Sequence, residues 1–109
     1  MVKNMPMFLA EHSWVKEKTP AIMKGIVDFL LQLEAGVRPE GVPETVTLCA
    51  VYTMPGERAI CIWEADHTET LEKMFVALLE ILPAKTVVTP MLQAYPPGPG
   101  LYAIMSQMM

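Results

Sequence analysis

Met7-Phe8-Leu9-Ala10-Glu11-His12-Ser13-Trp14 is the stretch from which the rest of the chain can be ordered. As a strand it sends Met7, Leu9, Glu11 and Ser13 to one face and Phe8, Ala10, His12 and Trp14 to the other, because successive side chains alternate. Thr19-Pro20 follows and marks a helix start, with Thr19 as N-cap and proline where its missing N–H costs nothing. Ile22, Ile26, Phe29, Leu30 and Leu33 recur at helical spacing, and Gly36 is the expected C′ residue.

A loop over 37–45 holds two prolines and Gly41. Strands are expected over about 46–53 and 58–65, joined by the Pro55-Gly56 turn. Asp66 or Thr68 caps a second helix over about 69–82, whose stripe is Leu71, Met74, Phe75, Leu78 and Leu82. Val76, Ala77, Leu79 and Ile81 widen that stripe beyond what one sheet face covers, so the C-terminal tail or a second subunit is expected over it. Pro83 stops the helix, and a last strand spans about 85–95. Pro90 inside it calls for an edge strand or a bulge. The order βαββαβ implies an α+β, ferredoxin-like sandwich with strand order 4-1-3-2, which does place strand four at an edge. Residues 1–95 form this domain; 96–109 are a Pro/Gly linker and an apolar tail expected to dock.

Composition bounds the partners. A chain of 109 residues makes one domain. With 52% hydrophobic and only 18% charged residues, it should leave apolar surface exposed, which favours a homodimer or higher homo-oligomer. The net charge of −4, with eight Lys and Arg in no run, argues against a nucleic-acid partner. No apolar run approaches the ~20 residues of a membrane span. Two cysteines without a secretory leader suggest a reducing, cytoplasmic setting. Ten methionines sit mostly within strand and helix patterns, as adaptable core filler rather than spaced copper ligands; those of the tail would line a partner surface.

Four short motifs carry a resemblance: His12-Ser13-Trp14 closing the first strand, Pro39-Glu40-Gly41-Val42 in the loop, Glu64-Ala65-Asp66 ending the third strand, and Val88-Thr89-Pro90 in the last. In that order, over roughly 7–92, the chain resembles a family of small prokaryotic proteins of the dimeric α+β barrel superfamily, in which two ferredoxin-like halves pair their sheets around a cavity. That family carries no established activity, so the resemblance implies a fold and a dimer. A second likeness is to the heme-degrading and antibiotic-biosynthesis monooxygenases of the same superfamily. It rests on Phe8-Leu9-Ala10-Glu11-His12 and on Trp63 at the position of their cavity tryptophan. His12 stands where those enzymes carry a catalytic Asn, and the second helix holds no heme-ligating His. No cofactor is therefore expected.

His12 is the candidate catalytic residue, since a neutral imidazole on a central strand can act as base or orient a polar group. Packing as a hydrogen-bonded core histidine is the competing reading. Phe8, Ala10, Cys61 and Trp63 are the candidate ligand-binding wall, with Trp14, Tyr52 and Tyr95 as further aromatic contributors or plain packing. Cys49 and Cys61 lie on paired strands. A three-residue hairpin loop puts them on one face, Cys61 opposite Val51 and Cys49 opposite Trp63. With His12 they could form a Cys2His set, but no fourth ligand and no Cys-x-x-Cys spacing support a metal. If His12 faces the cavity, Glu11 faces the helices; otherwise Glu11 and Glu64 are rim carboxylates.

The leading expectation is a small-molecule-binding homodimer with an apolar cavity, open to cofactor-independent monooxygenase-like or isomerase-like chemistry with His12 as base. A closed cavity below ~100 Å³ would sink it, since ligand pockets run to ~300 Å³ or more. The alternative is a non-catalytic interaction module using the tail and the second helix.

Overall fold

The computed structural model describes residues 6–92 and 105–108. The chain runs β1 (Met7–Ser13), a 3-10 turn (Lys16–Lys18), α1 (Thr19–Glu34), β2 (Thr47–Met54), β3 (Arg58–Glu64), α2 (Thr68–Ala77) and β4 (Lys85–Met91). The strands make one antiparallel sheet in the order β2-β3-β1-β4. β1 is central, and β4 with its Pro90 is an edge.

Register divides the sheet into two faces. Phe8 pairs with Trp63, Ala10 with Cys61 and His12 with Ala59, so these six share one side. Thr86, Val88 and Pro90 of β4 and Leu48, Val51 and Thr53 of β2 continue it. Both helices pack on this side: Phe29 of α1 and Leu71, Met74 and Phe75 of α2 join Phe8, Ala10 and Trp63, with Leu78 just beyond α2, in one buried cluster. Four rings run through it edge to face, Phe29 to Trp63 at 6.4 Å, Trp63 to Phe75 at 5.9 Å and Phe75 to His12 at 5.1 Å. The opposite face, with Leu9, Glu11, Ile60 and Ile62 at its centre, has no helix over it among the described residues.

The helix ends depart from the sequence expectation in instructive ways. Thr19 does not cap α1 but is its first residue: the 3-10 turn runs straight into the helix through Lys18, and the Thr19 hydroxyl accepts the Trp14 Nε1–H bond at 3.0 Å. At the other end Gly36 sits at φ +75°, with Gly36 N–H bonding the Leu33 carbonyl and Val37 N–H that of Gln32. That double bond closes the helix as anticipated. The buried residues of α1 are Ile22, Gly25 and Phe29; Ile26 and Leu30 are only half-buried, and Leu33 is exposed. Gly25 was absent from the expected stripe. A Cβ there would collide with the Ile81 carbonyl oxygen, so glycine is what lets α1 approach the chain beyond α2. α2 ends at Ala77, short of the expected 82, because the chain tightens through bonds from Leu79 to Val76 and from Ile81 to Leu78. His67, not Asp66 or Thr68, is its N-cap residue, while Asp66 accepts bonds from His67 N–H and the Thr70 hydroxyl.

Val76, Leu79 and Ile81 are exposed. The tail expected over them falls largely outside the described residues, as do Tyr95 and the end of the predicted fourth strand; Met105 and Met108 are exposed.

Exchanging a helical glycine for alanine ordinarily gains ~1 kcal/mol. Gly25→Ala should do the reverse and lower unfolding stability by about 2 kcal/mol or more, since a backbone carbonyl cannot rotate away. Urea denaturation measures the sign.

Candidate functional site

His12 and its neighbours come together on the helix-covered face of the sheet. Antiparallel register sets His12 of β1 directly beside Thr86 of β4 and diagonally beside Cys61 of β3. His12 Nδ1 lies 2.7 Å from Thr86 Oγ1, and Nε2 lies 3.3 Å from Cys61 Sγ. The imidazole thus bridges three strands. Only 8% of His12 is exposed, and it is the buried polar side chain of the core.

Burial sets the charge states. Burial lowers the His12 pKa to about 4, and burial pushes the Cys61 thiol up to about 12, partly offset by the Trp63 indole beside it. At neutral pH the imidazole is uncharged and the sulfur keeps its proton. Of the two neighbours the hydroxyl oxygen is the stronger acceptor, so the favoured tautomer carries its proton on Nδ1, donating to Thr86 Oγ1, and the thiol donates to Nε2. Both ring nitrogens are occupied. In this arrangement His12 offers no free lone pair to a substrate, and Cys61 is no thiolate nucleophile.

Trp63 completes the group. It is 3% exposed, and its Nε1 is a buried donor with no hydrogen-bond partner among the described residues. It approaches Cys61 without reaching hydrogen-bond geometry. An unmet buried donor costs about 1–3 kcal/mol, and among the described residues this indole is the buried side-chain polar atom left unpaired. His12, Cys61 and Trp63 line a void of about 30 Å³ together with Phe29, Leu48 and Leu78. That is room for about one water, well under the ~300 Å³ of a ligand pocket. Phe29 and Leu78 also line a solvent-open groove of about 650 Å³ on the outer side of the helices. Those two residues border both.

The five residues expected to form the site are brought together differently. Cys61 and Trp63 share the void with His12. Phe8 and Ala10 belong to the buried packing, Ala10 with no exposure at all. The face is the covered one, so Glu11 does not point at the helices; it lies on the open face, 3.9 Å from Arg58. Trp14 is half-buried, tied to Thr19, and Tyr52 is exposed. The hairpin has the three-residue loop, with Met54 opposite Arg58 and Cys61 opposite Val51. A bulge between Leu48 and Ala50 then puts Leu48, not Cys49, opposite Trp63. Cys49 is left exposed and off the shared face, so a pairing of the two thiols and the Cys2His set both fail on geometry. No cluster of three or more metal-ligating side chains occurs among the described residues. No helix among them is long and apolar enough to cross a membrane.

Sequence reasoning missed Thr86, the residue that engages His12. The signal was present: an edge-strand Thr at the register of His12 follows once strands one and four are paired. It missed that Phe29 and Leu78 border both the void and the groove, because that depends on helix placement. No protein-family model, curated protein or solved structure matches this chain.

Two outcomes follow from the buried neutral pair. A histidine whose folded pKa lies below its unfolded value binds fewer protons when folded, so stability rises with pH. His12 should contribute fully above pH 6.5 and lose on the order of 3 kcal/mol as pH falls to about 4, read from urea midpoints across that range. In native protein a thiol reagent should label Cys49 readily and Cys61 at least ~100-fold more slowly, as expected for a protonated, buried sulfur.

Proposed function

We propose that the chain is a ferredoxin-like half of a dimeric α+β barrel. It pairs with a second copy through its open sheet face and binds an apolar small molecule between helices and sheet. The observation that carries the ligand reading is the orphaned Trp63 Nε1 donor inside an otherwise satisfied core. A ligand carbonyl or similar acceptor accounts for it. The void has space for such an atom but not for its carrier; Trp63 also lines a solvent-open pocket of about 370 Å³ with Phe29, Val46 and Leu48, and the apolar body lies there. His12 then serves as a positioning residue that holds Cys61 and the sheet in register rather than as a base. Monooxygenase-like or isomerase-like chemistry would first have to free Nε2 from the thiol.

The dimer reading is supported by the composition of the open face. Leu9, Ile60, Ile62 and Ala50 occupy its middle, together with Glu11, which lies 3.9 Å from Arg58. Arg58 and Lys85 lie at one end of the strands and Glu64 at the other. A two-fold contact with strands running oppositely sets the basic end of one copy over the acidic end of its partner. Strand spacing and rise give the face roughly 450 Å² in plan. The accessible area is larger, which brings two copies to the ~1,000 Å² of a specific interface. A sheet with both faces buried also accounts for the low charge content.

A second reading draws on Val76, exposed to 68%, with Leu79 and Ile81 nearby. These give α2 an apolar outer end suited to a non-catalytic interaction module.

Native mass spectrometry of the untagged protein tests the proposal. The expected spectrum is a dimer carrying a retained mass of small-molecule size; a bare monomer would overturn it. Ile62→Glu, a change on the open face, should give a folded monomer by the same measurement, and a persistent dimer would move the interface elsewhere.

A further inference from the structure

We infer that the ligand of this site is an apolar carboxylate, whose anionic end meets Arg38 and whose neutral acceptor meets Trp63 Nε1. The inference deepens the ligand reading above and rests on it. The solvent-open pocket of about 370 Å³ is of ligand size. One of its walls is Trp63, the residue that carries the unpaired buried donor. Trp63, Phe29 and Leu48 line both this pocket and the small void beside His12. Leu48 is among them because the β2 bulge sets it, rather than Cys49, opposite Trp63. Leu33 and Val37 extend the apolar lining, and both are exposed, Val37 to 53%. An apolar body lying in the pocket removes these side chains from water.

The charge on this pocket is positive. Arg38 is the charged residue of its lining, and it is in no ion pair among the described residues. Its Nη1 donates to the Pro43 carbonyl at 2.6 Å, which closes the loop after α1 and ties down the side chain. That bond uses one N–H of the guanidinium fork and leaves the charge uncompensated. The carbonyls that end α1 do not offset it, because Leu31, Gln32 and Leu33 already accept from Ala35, Val37 and Gly36 N–H. Glu34 and Glu44 do not line the pocket. The two polar groups call for different partners. An anion brought to Trp63 Nε1 would lose its hydration in a dry core for a single donor, whereas a ketone or ester carbonyl accepts that bond without carrying a charge inward. Arg38 is exposed, so a carboxylate pairs with it while staying hydrated. A cationic tail would meet a like charge there, and a plain hydrocarbon would leave the indole unmet.

The test uses three probes with one body: an aryl alkyl ketone bearing a carboxylate tail, its methyl ester, and the same acid with the ketone replaced by a methylene. Each is titrated into the full-length protein, nitrogen-15-labelled at tryptophan, and the indole N–H signals are followed by NMR. Trp14 and Trp63 are the tryptophans of the chain, and Trp14→Phe identifies the Trp63 signal. The keto acid should move the Trp63 signal downfield and leave that of Trp14, bonded to Thr19, in place. It should bind at least about threefold tighter than its ester at low salt, with the advantage shrinking as salt rises. Arg38→Gln, which keeps an N–H donor on the loop, should remove that advantage, and Arg38→Lys should retain part of it. The methylene acid should bind more weakly than the keto acid. Equal affinity for acid and ester, a preference for the ester, or an advantage that survives Arg38→Gln would overturn the charge inference while leaving the ligand reading in place. No binding of any probe, a Trp63 signal unmoved by saturating keto acid, or a methylene acid as tight as the keto acid would overturn both, because the indole then has no part in binding.

Discussion

Everything distinctive about this protein depends on which side of β1 the helices cover. The strand is central, and its two faces differ in kind. Phe8, Ala10 and His12 go under the helices, while Leu9 and Glu11 face outward. The choice follows from volume: Phe8 and Trp63 give Phe29 and Phe75 an aromatic surface to pack on, whereas the other face would bring Glu11 and Glu64 under the helices with charges to desolvate. Its cost is one buried histidine. Thr86 and Cys61 meet that cost by satisfying both nitrogens.

The arrangement resembles a catalytic constellation only in its residue types. A histidine between a thiol and a hydroxyl could pass a proton in a polar site. Here the dry core raises the thiol and lowers the imidazole together, so the neutral form is the stable one. The same hydrogen bonds that would define a nucleophile and its base instead tie β3 and β4 to β1. The orphaned Trp63 donor, a short distance away, is the group that has not been satisfied, and the site is better understood from it than from His12.

Much of the fold was legible. The strand and helix segments, the Gly36 stop, the three-residue hairpin loop and the edge position of the Pro90 strand all follow from local chemistry: turn residues, alternation, proline's missing donor. What escaped depends on distant contacts. Gly25 reads as an ordinary helical glycine until Ile81 is placed against it. The bulge that removes Cys49 from the shared face has no strong local signal. The face of His12 was left open because alternation separates two sides without saying which one is covered. The groove escaped altogether, since its walls come from three separate segments. The ferredoxin-like pairing and the ligand reading are interpretations laid on this architecture, supported by the open face and the unsatisfied indole.

The state of His12 is where the account is most exposed. Nitrogen-15 NMR of histidine-labelled protein, recorded from pH 7.5 down to the onset of unfolding, reports tautomer and charge directly. The expected ring is neutral and protonated at Nδ1, with no change in its shifts until pH approaches about 4. A ring that titrates near the ordinary histidine value of about 6.5 would contradict burial of the neutral form and return His12 to the role of an available base, and a ring protonated at Nε2 would reverse both hydrogen bonds.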